Sequence, residues 1–394
     1  MDFLKQARAM EPELVRNRRY LHQHAEVRME LPNTVKFVME RLAGMGYEPK
    51  ALGGGVTAAV GKGGPVLLLR ADMDALPMTE DSGLEYAAGN GACHSCGHDH
   101  HTAMLLGAAK LLKGYEKDLK GTVKFMFQPG EEVFHGAEAM ISAGILENPA
   151  VDAAFGVHVL TGRKTGMVFY NDQGAQMASC DGFRVKIQGR SAHGAMPNEG
   201  VDPINIGAHL YFAFQELISR EVRQSESCVM TVGRIEAGTA ANIIPDSLVM
   251  EGTIRTMSKE TRSFLLRRMR EVAKAIAEAF RGSARFEMLS EVPPLVCDPE
   301  LTREMIGYGA ELGYPGYLPA GGAQVNSSED FAMIAERVPS CFLFLSAAGP
   351  GSTAGVPMHN PKVRIGEEVL PFGAALLAQG AARWLEKRAG NGLA

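Results

Sequence analysis

The order of predicted strands and helices constrains this chain more than any single motif. Over residues 1–180 and again over 294–394, short apolar runs bounded by glycine and proline alternate with helical stretches. This alternation is typical of an α/β domain with a mixed sheet flanked by helices. Residues 181–293 instead follow the order β-α-β-β-α-β, which is that of a ferredoxin-like α+β domain. The sequence therefore predicts a discontinuous α/β domain, 1–180 with 294–394, that carries an inserted domain over 181–293.

Length and charge limit the classes of partner. The chain has 394 residues, enough for two domains, and a formal net charge of −5. That charge does not provide the concentrated basic surface that nucleic acids and anionic membranes need. The first residues, MDFLKQARAMEPELVRNRRYLHQH, are charged and contain no apolar run, so we predict no signal peptide and no membrane-spanning segment. We expect a cytoplasmic protein that binds neither nucleic acid nor membrane.

The densest group of reactive side chains is GACHSCGHDHHTAM, residues 91–104. It is compatible with a redox pair of Cys93 and Cys96, with a structural zinc site, or with part of a catalytic metal site. The surrounding histidines are atypical of a redox motif, and the other cysteines are too scattered to complete a zinc site. The pattern favours a catalytic metal site, although the other two interpretations stay open.

Acidic and histidine side chains recur where predicted strands end. Open α/β sheets carry their chemistry at the carboxyl ends of strands, so we expect these side chains to meet the 93–101 cluster in one cleft. One carboxylate of the pair at 131 and 132 could bind metal while the other moves the proton of a water. Taken alone, that pair is equally well explained as a solvated acidic loop before a helix. The strand-end residues are Asp72, Asp74, Glu131, Glu132, His158 and His359.

The predicted inserted domain contributes three further candidates. His193 lies in the glycine- and proline-rich loop GRSAHGAMPNEGVDP, Asn242 in AGTAANIIPD, and Arg255 in GTIRT. Such loops often carry function, and an arginine can clamp a carboxylate, but each residue taken singly is more often structural. His22, in the helical stretch near the start, is interpreted as a surface or packing residue.

Several blocks of sequence together resemble the metal-dependent amidohydrolases of peptidase family M20. The similarity is to the branch that contains aminoacylases, hippurate hydrolases and plant IAA-amino acid hydrolases, and it covers essentially the whole chain. It implies hydrolysis of the amide of an N-acyl amino acid to a carboxylic acid and a free amino acid. The blocks are RADMDALPM, HSCGHDHHTAML, FQPGEE, GVHV, SAHGAMPNEGVDPI, GTAANIIPD, GTIRT, SSEDFA and MHNP.

The resemblance also implies roles for single residues. It implies two divalent ions, which could be zinc, manganese, cobalt or nickel. Glu131 would be the general base and acid, and Asp74 would orient a ligand without binding metal. His193, supplied by the partner subunit of a homodimer, and Asn242 would stabilise the oxyanion, and Arg255 would hold the substrate carboxylate. The implied metal ligands are Cys96, His98, Glu132, His158 and His359.

The same resemblance makes the inserted domain the dimerisation domain and the lid of the site. The family commonly has glycine where His100 stands, and we expect that His100 does not touch metal. Cys93 and His94 are likewise interpreted as packing or supporting residues, with Cys96 and His98 reaching the metals from one side of an extended segment. Two alternatives remain: a dipeptidase of the same family, and a binding protein without catalysis on this fold.

Overall fold

The computed structural model describes residues 1–348, 352 and 355–390. Along these residues no helix combines the length and apolarity needed to cross a lipid bilayer. The α-helices are α1 (Phe3–Ala9), α2 (Glu11–Gln23), α3 (Pro32–Gly44), α4 (His98–Gly114), α5 (Gly136–Ser142), α6 (Pro203–Glu216), α7 (Lys259–Ala279), α8 (Pro299–Glu311), α9 (Ala332–Ala335) and α10 (Leu370–Gly390). The strands are β1 (Lys50–Leu52), β2 (Gly55–Gly61), β3 (Val66–Asp72), β4 (Thr122–Gln128), β5 (Ala153–Lys164), β6 (Met167–Phe169), β7 (Ala175–Met177), β8 (Cys180–Gln188), β9 (Ala192–His193), β10 (Cys228–Ala237), β11 (Ile243–Ile244), β12 (Ser247–Thr256), β13 (Ser283–Val292), β14 (Leu295–Val296), β15 (Leu318–Ala320) and β16 (Ser340–Ala348).

The larger of two compact units is built on an eight-stranded sheet of order β1-β2-β4-β3-β5-β16-β6-β15. Its central strands β4, β3, β5 and β16 are parallel, whereas β2 runs antiparallel to β4. Helices α4, α8 and α10 pack against it. This confirms the predicted mixed sheet flanked by helices. The unit comprises Met1–Gly174, Val296–Ala323 and Asp330–Ala394.

The central strands explain why the sequence shows apolar runs there. Every residue of β3 and of β4 is buried, as expected for parallel strands covered on both faces. Phe125 and Phe155 are fully buried in this core, where each aromatic side chain contributes roughly 1.5–3 kcal/mol by leaving water. The carboxyl ends of these strands are consequently held by a well-packed scaffold.

The smaller unit has the chain order β8-α6-β10-β12-α7-β13 and an antiparallel sheet of order β10-β12-β8-β13. Asp202 caps α6 by accepting hydrogen bonds from the Ile204 and Asn205 amides, and Pro203 occupies the first turn, as the sequence predicts. Phe183 and Met250 belong to a separate apolar core. The ferredoxin-like architecture is thereby confirmed.

The smaller unit also includes a segment from outside the inserted sequence. It comprises Ala175–Leu295 together with Gln324–Glu329, and the second stretch lies outside the predicted range 181–293. Arg255 contributes to this association, because its NH1 donates to Ser328 Oγ at 2.8 Å and to the Asn326 carbonyl at 3.3 Å. Residues 391–394 of the predicted larger domain lie outside the described residues.

The prediction that Cys96 and His98 lie together on an extended segment was wrong for His98. The helix begins already at His98, directly after Gly97, whose φ is +84°. A Cβ on Gly97 would lie 2.4 Å from Val159 Cγ2, so both the backbone and the space require glycine. The early start places His98 and His101 one turn apart on the same helix face, with ring centroids 5.4 Å apart.

Candidate metal centre

The predicted metal ligands lie together in the larger unit. His359 Nε2 is 3.2 Å from Cys96 Sγ and 3.4 Å from Glu132 Oε1. Cys96 Sγ is 3.6 Å from His158 Nε2, and His98 Nε2 is 3.9 Å from Glu132 Oε1. Two groups, Cys96–His98–His158 and Cys96–Glu132–His359, each have their candidate ligand atoms within 4.8 Å of one another. Because Cys96 belongs to both groups, the arrangement offers two neighbouring cation positions that share one thiol.

Different elements deliver these side chains. Cys96 lies in the turn before α4, and Glu132 lies in the loop that follows β4. His158 lies within β5, because this strand continues to Lys164 and does not end at the histidine as predicted. His359 has φ +62°, a sparsely populated conformation for a residue with a side chain, and its amide donates to the Ser95 carbonyl at 3.1 Å. The hydrogen bond to Ser95 helps to hold His359 in this conformation.

Two buried atoms of the group lack hydrogen-bond partners among the described residues. They are His98 Nε2 and Glu132 Oε1, although buried polar atoms are nearly always bonded. His98 Nδ1 donates to the Asp74 carbonyl at 2.8 Å, so a neutral His98 has its lone pair on Nε2. Thiol, imidazole and carboxylate are also the side chains that bind divalent transition metals. The residues present therefore fit divalent metal ions.

The group also concentrates negative charge. Burial, together with Asp74 and Asp72, raises the pKa of Glu132 to about 7. Burial disfavours a charged imidazole at His98, yet Asp72 and Cys96 raise its pKa well above the usual value. Both shifts report the same environment, in which buried carboxylates gain from a nearby positive charge. A bound divalent cation would supply that charge and displace the proton of His98.

Asp74 organises the acidic pair. Its Oδ1 accepts the Glu131 amide at 2.9 Å and its Oδ2 accepts the Glu132 amide at 3.1 Å. Since its carbonyl also accepts His98 Nδ1, this single buried residue fixes the backbone of both glutamates and one imidazole ring. Among the described residues, Asp74 belongs to none of the groups of candidate ligand atoms. Its contacts are hydrogen bonds to the amides of the acidic pair and to the ring of His98.

Glu131 stands beside the candidate ligands. It is buried, and its Oε2 lies 4.0 Å from His98 Nε2. Glu131, His98 and Glu132 form a further group with candidate ligand atoms within 4.8 Å of one another. Its carboxylate is therefore close enough to contact a water or an ion held by the other two residues.

The remaining predicted site residues belong to the smaller unit. The pairing of β9 with β11 brings His193 opposite Ile243, and the Gly194 amide donates to the Asn242 carbonyl at 2.9 Å. His193 Nδ1 accepts the Ala195 amide at 3.1 Å. The ring proton of neutral His193 is therefore on Nε2, where an exposed side chain can donate it to a ligand.

The sequence analysis missed a buried network behind the 93–101 segment. Arg18 Nε donates to Asp99 Oδ2 at 2.8 Å, and His22 Nδ1 lies 2.8 Å from the same oxygen. His22 Nε2 is 3.0 Å from Glu80 Oε1. His22 is thus buried between two carboxylates, which excludes a surface position and adds ion-pair contacts that the packing interpretation did not include. The i, i+4 spacing of Arg18 and His22 on α2 was the available signal.

The two other interpretations of the cluster gain no support from this geometry. Burial raises the pKa of the Cys93 thiol to about 12, whereas redox-active thiols have lowered values. Cys93 and Cys96 are both free. Among the described residues no group of candidate ligand atoms contains Cys93 or His94, so a separate zinc site is not formed there.

Comparison with known proteins identifies the family. The sequence model of peptidase family M20/M25/M40 matches residues 68–383. The chain belongs to this family. This M20 chain is 37% identical over 383 residues to N-acetyl-L-cysteine deacetylase of Bacillus subtilis (strain 168), with 96% of this chain and 89% of the relative covered. It is 37% identical over 377 residues to IAA-amino acid hydrolase ILR1-like 4 of Arabidopsis thaliana, with 93% and 84% covered.

A solved structure agrees with this assignment. A dinuclear metal-binding peptidase of family M20 from Bacillus subtilis matches with a TM-score of 0.82 and 32% identity, covering 96% of this chain and 99% of that one. Together with the two relatives, it confirms the resemblance inferred from the sequence blocks and the predicted branch of the M20 family.

Proposed function

We propose that the protein is a metal-dependent amidohydrolase that converts an N-acyl amino acid and water to a carboxylic acid and a free amino acid. The observation that carries this proposal is the convergence of Cys96, His98, Glu132, His158 and His359 around unbonded buried ligand atoms. The two M20 relatives are named for removing an acyl group from an amino acid, and both align with nearly all of this chain.

We infer two divalent ions per subunit, one for each of the two groups that share Cys96. Zinc, manganese, cobalt and nickel all accept thiolate, imidazole and carboxylate ligands, and reconstitution of the metal-free protein with each ion separates them. When bound at such a site, divalent ions polarise the amide carbonyl and make water acidic enough to become a nucleophile at neutral pH.

Glu131 is the proposed general base and acid. Its carboxylate accepts a proton from the attacking water and returns it to the nitrogen of the departing amino acid, so no net proton is consumed in the cleavage step. Asp74 supports this role by holding the Glu131 and Glu132 amides. Glu131 would therefore transfer protons while its neighbour Glu132 binds metal.

Residues of the smaller unit are proposed to bind the substrate. His193 carries its proton on Nε2 and is exposed, which suits donation to the developing oxyanion, and we propose that it acts in the site of the partner subunit. Asn242 adds a second donor. Arg255, held by Ser328, is proposed to bind the substrate carboxylate.

The test is a hydrolysis screen of N-acetyl, N-benzoyl and indole-acyl amino acids together with dipeptides, with and without added Zn²⁺, Mn²⁺ or Co²⁺. We expect metal-dependent release of the free amino acid from N-acyl substrates. Release only from dipeptides would establish the dipeptidase alternative. Tight binding of N-acyl amino acids without turnover under every metal would establish the binding protein.

A variant pair tests the role of Glu131. Glu131→Gln is expected to bind metal normally and to lose several orders of magnitude in kcat, because it can no longer accept a proton. Glu138→Gln, an exposed change on the following helix α5, is the matched control and should retain activity. Near-normal turnover of Glu131→Gln would exclude the proposed mechanism.

A homodimer through the smaller unit is also proposed. Exposed apolar side chains on one face of α6, namely Ile204, Tyr211 and Phe212, have no covering partner among the described residues, and Phe212 is 68% exposed. Strand β10 forms an edge of the four-stranded sheet and exposes Val229 and Ile235. An open edge beside an apolar helix face suits a symmetric contact with a second copy.

Light scattering coupled to size-exclusion chromatography tests this assembly. Phe212→Glu is expected to convert the dimer to a monomer, because it places a charge at the centre of the contact. Leu318→Glu is the matched control, since Leu318 is 54% exposed but belongs to the larger unit. A dimer that survives Phe212→Glu would contradict this interface.

The six cysteines are all free. Free thiols persist in reducing compartments, so we propose that the enzyme works in the cytoplasm.

A further inference from the structure

His101 lies against a proposed metal ligand, but hydrogen bonds within the protein occupy both of its ring nitrogens. The residue is buried on α4, and its ring centroid lies 4.4 Å from that of His158. Its Nδ1 is 2.5 Å from Asp72 Oδ1, and its Nε2 is 2.8 Å from the amide nitrogen of Val159. Both ring nitrogens are therefore engaged by the protein.

These two hydrogen bonds fix the tautomer of His101. The Val159 amide can only donate, so Nε2 must carry the lone pair that accepts this bond. The ring proton is then on Nδ1, which donates to the Asp72 carboxylate. Asp72, His98 and His101 have candidate ligand atoms within 4.8 Å of one another, but the closed bonds of His101 make this group unsuited to a third ion.

Asp72 is itself held from two directions. Arg70 NH1 donates to Asp72 Oδ2 at 2.8 Å, and Thr102 Oγ1 donates to the Asp72 carbonyl at 2.8 Å. Arg70 Nε also donates to Gln128 Oε1 at 2.9 Å, which connects β3 to the end of β4. The carboxylate that receives the His101 proton is thus a rigid part of the sheet.

Val159 links this support to the metal ligand. Its carbonyl accepts His158 Nδ1 at 2.6 Å, which leaves the lone pair of neutral His158 on Nε2, the atom 3.6 Å from Cys96 Sγ. Its amide is held by His101. One residue therefore orients the ring of His158, and His101 holds that residue in place.

We propose that His101 is a positioning residue that fixes His158 for metal binding through the Val159 amide. The proposal rests on the proposed function in one respect, namely that His158 binds metal. Outer partners of metal ligands typically contribute about 10–100-fold to metal affinity. An effect of that size is expected at the ion that His158 binds, with a smaller effect at the ion bound by His359 and Glu132.

The experiment is calorimetric titration of the metal-free full-length protein with Zn²⁺ and Mn²⁺. His101→Asn keeps a donor for Asp72 but is too short to reach Val159, and we expect it to weaken one of two ions by about 10–100-fold. His101→Gln carries an oxygen near the position of Nε2, and we expect it to recover most of that loss. His100→Asn changes the adjacent buried histidine and serves as the control with wild-type affinity for both ions.

Two titration results would overturn the proposal. One is equal affinity of His101→Asn and His100→Asn for both ions, and the other is His101→Gln binding as weakly as His101→Asn. If the wild-type protein itself bound fewer than two ions, the proposed metal centre would fail instead, so the two failures are distinguishable.

A measurement on the wild-type protein covers the case in which His101→Asn does not fold. In ¹⁵N-histidine NMR spectra, we expect His101 as the Nδ1–H tautomer, with an Nε2 resonance unchanged by Zn²⁺ while that of His158 shifts. A His101 Nε2 resonance that moves to a metal-bound position would make this residue a ligand and contradict its positioning role.

Discussion

The two sides of the segment at the start of α4 differ in whether their buried polar atoms have hydrogen-bond partners. On the ligand side, formed by Cys96 and His98, His98 Nε2 has no hydrogen-bond partner among the described residues. On the anchor side, formed by Asp99 with Arg18 and His22, every carboxylate oxygen of Asp99 is bonded. Oδ2 contacts Arg18 Nε and His22 Nδ1, and Oδ1 accepts the His100 amide at 2.9 Å.

This difference shows how the protein can keep buried polar atoms without hydrogen-bond partners at its proposed metal site. Unbonded polar atoms and clustered carboxylates cost stability on the ligand side. The anchor side instead joins the same helix start to α2 through a buried ion pair whose carboxylate oxygens are both bonded. Removal of a ligand-side residue should therefore abolish metal binding with little loss of folding, and removal of an anchor-side residue should do the reverse.

The largest expected effect follows removal of a ligand-side residue. Cys96→Ala should reduce bound metal well below two ions per subunit, because Cys96 belongs to both ligand groups, and activity should fall by several orders of magnitude. Cys93→Ala, at the buried neighbouring thiol, is the control and should keep its metal. Elemental analysis of both proteins gives the result, and equal metal loss would return Cys93 to the site.

The second-largest expected effect follows removal of an anchor-side residue. Arg18→Gln leaves Asp99 buried without its main counter-charge, which costs about 3–5 kcal/mol, and we expect a large fall in the Tm of the metal-free protein. Arg19→Gln is the control, because Arg19 contacts Glu367, as Arg18 does, but is half exposed. Exposed pairs contribute at most about 1 kcal/mol. Similar Tm values for the two variants would show that the Arg18 charge is not required to stabilise buried Asp99.

The contribution of His22 to the stability of the anchor side should depend on pH. Burial opposes its charge, but hydrogen bonds to Asp99 and Glu80 raise the pKa of His22 above 6.5. A raised value stabilises the fold fully below about pH 6.5 and loses this contribution as the pH rises through the folded pKa. The Tm deficit of His22→Gln should therefore be largest near pH 6 and shrink toward about pH 9.

The matched change for this experiment is His24→Gln, because His24 is exposed just after α2. Because this side chain is exposed, the change should cause only a small Tm deficit. A deficit of His22→Gln that grows with rising pH would mean that His22 is neutral in the folded protein.

Sequence patterns predicted the architecture because strand periodicity and the β-α-β-β-α-β order are local signals. Strand-end reasoning placed Glu132, His158 and His359 in one expected cleft, although His158 lies within β5 and not at its end. The full set of five ligands came from the resemblance to the M20 family. The anchor side was not predicted, because Arg18 and Asp99 are 81 residues apart and only the packing of α2 on α4 joins them. The helix start at His98 was missed because it depends on the left-handed conformation of Gly97.

The smallest expected effect concerns His94, which neither side uses. Burial lowers the pKa of His94 to about 3, and neither ring nitrogen has a hydrogen-bond partner among the described residues. An unbonded buried polar group costs about 1–3 kcal/mol, and His94→Leu replaces it with an apolar side chain of similar size. We expect an unchanged or slightly raised Tm with two bound ions, whereas His100→Leu, which loses a contact to Asp99, should lower the Tm. A marked fall in Tm for His94→Leu would show that a buried water bonds this ring, and His94 would then belong to the anchor side.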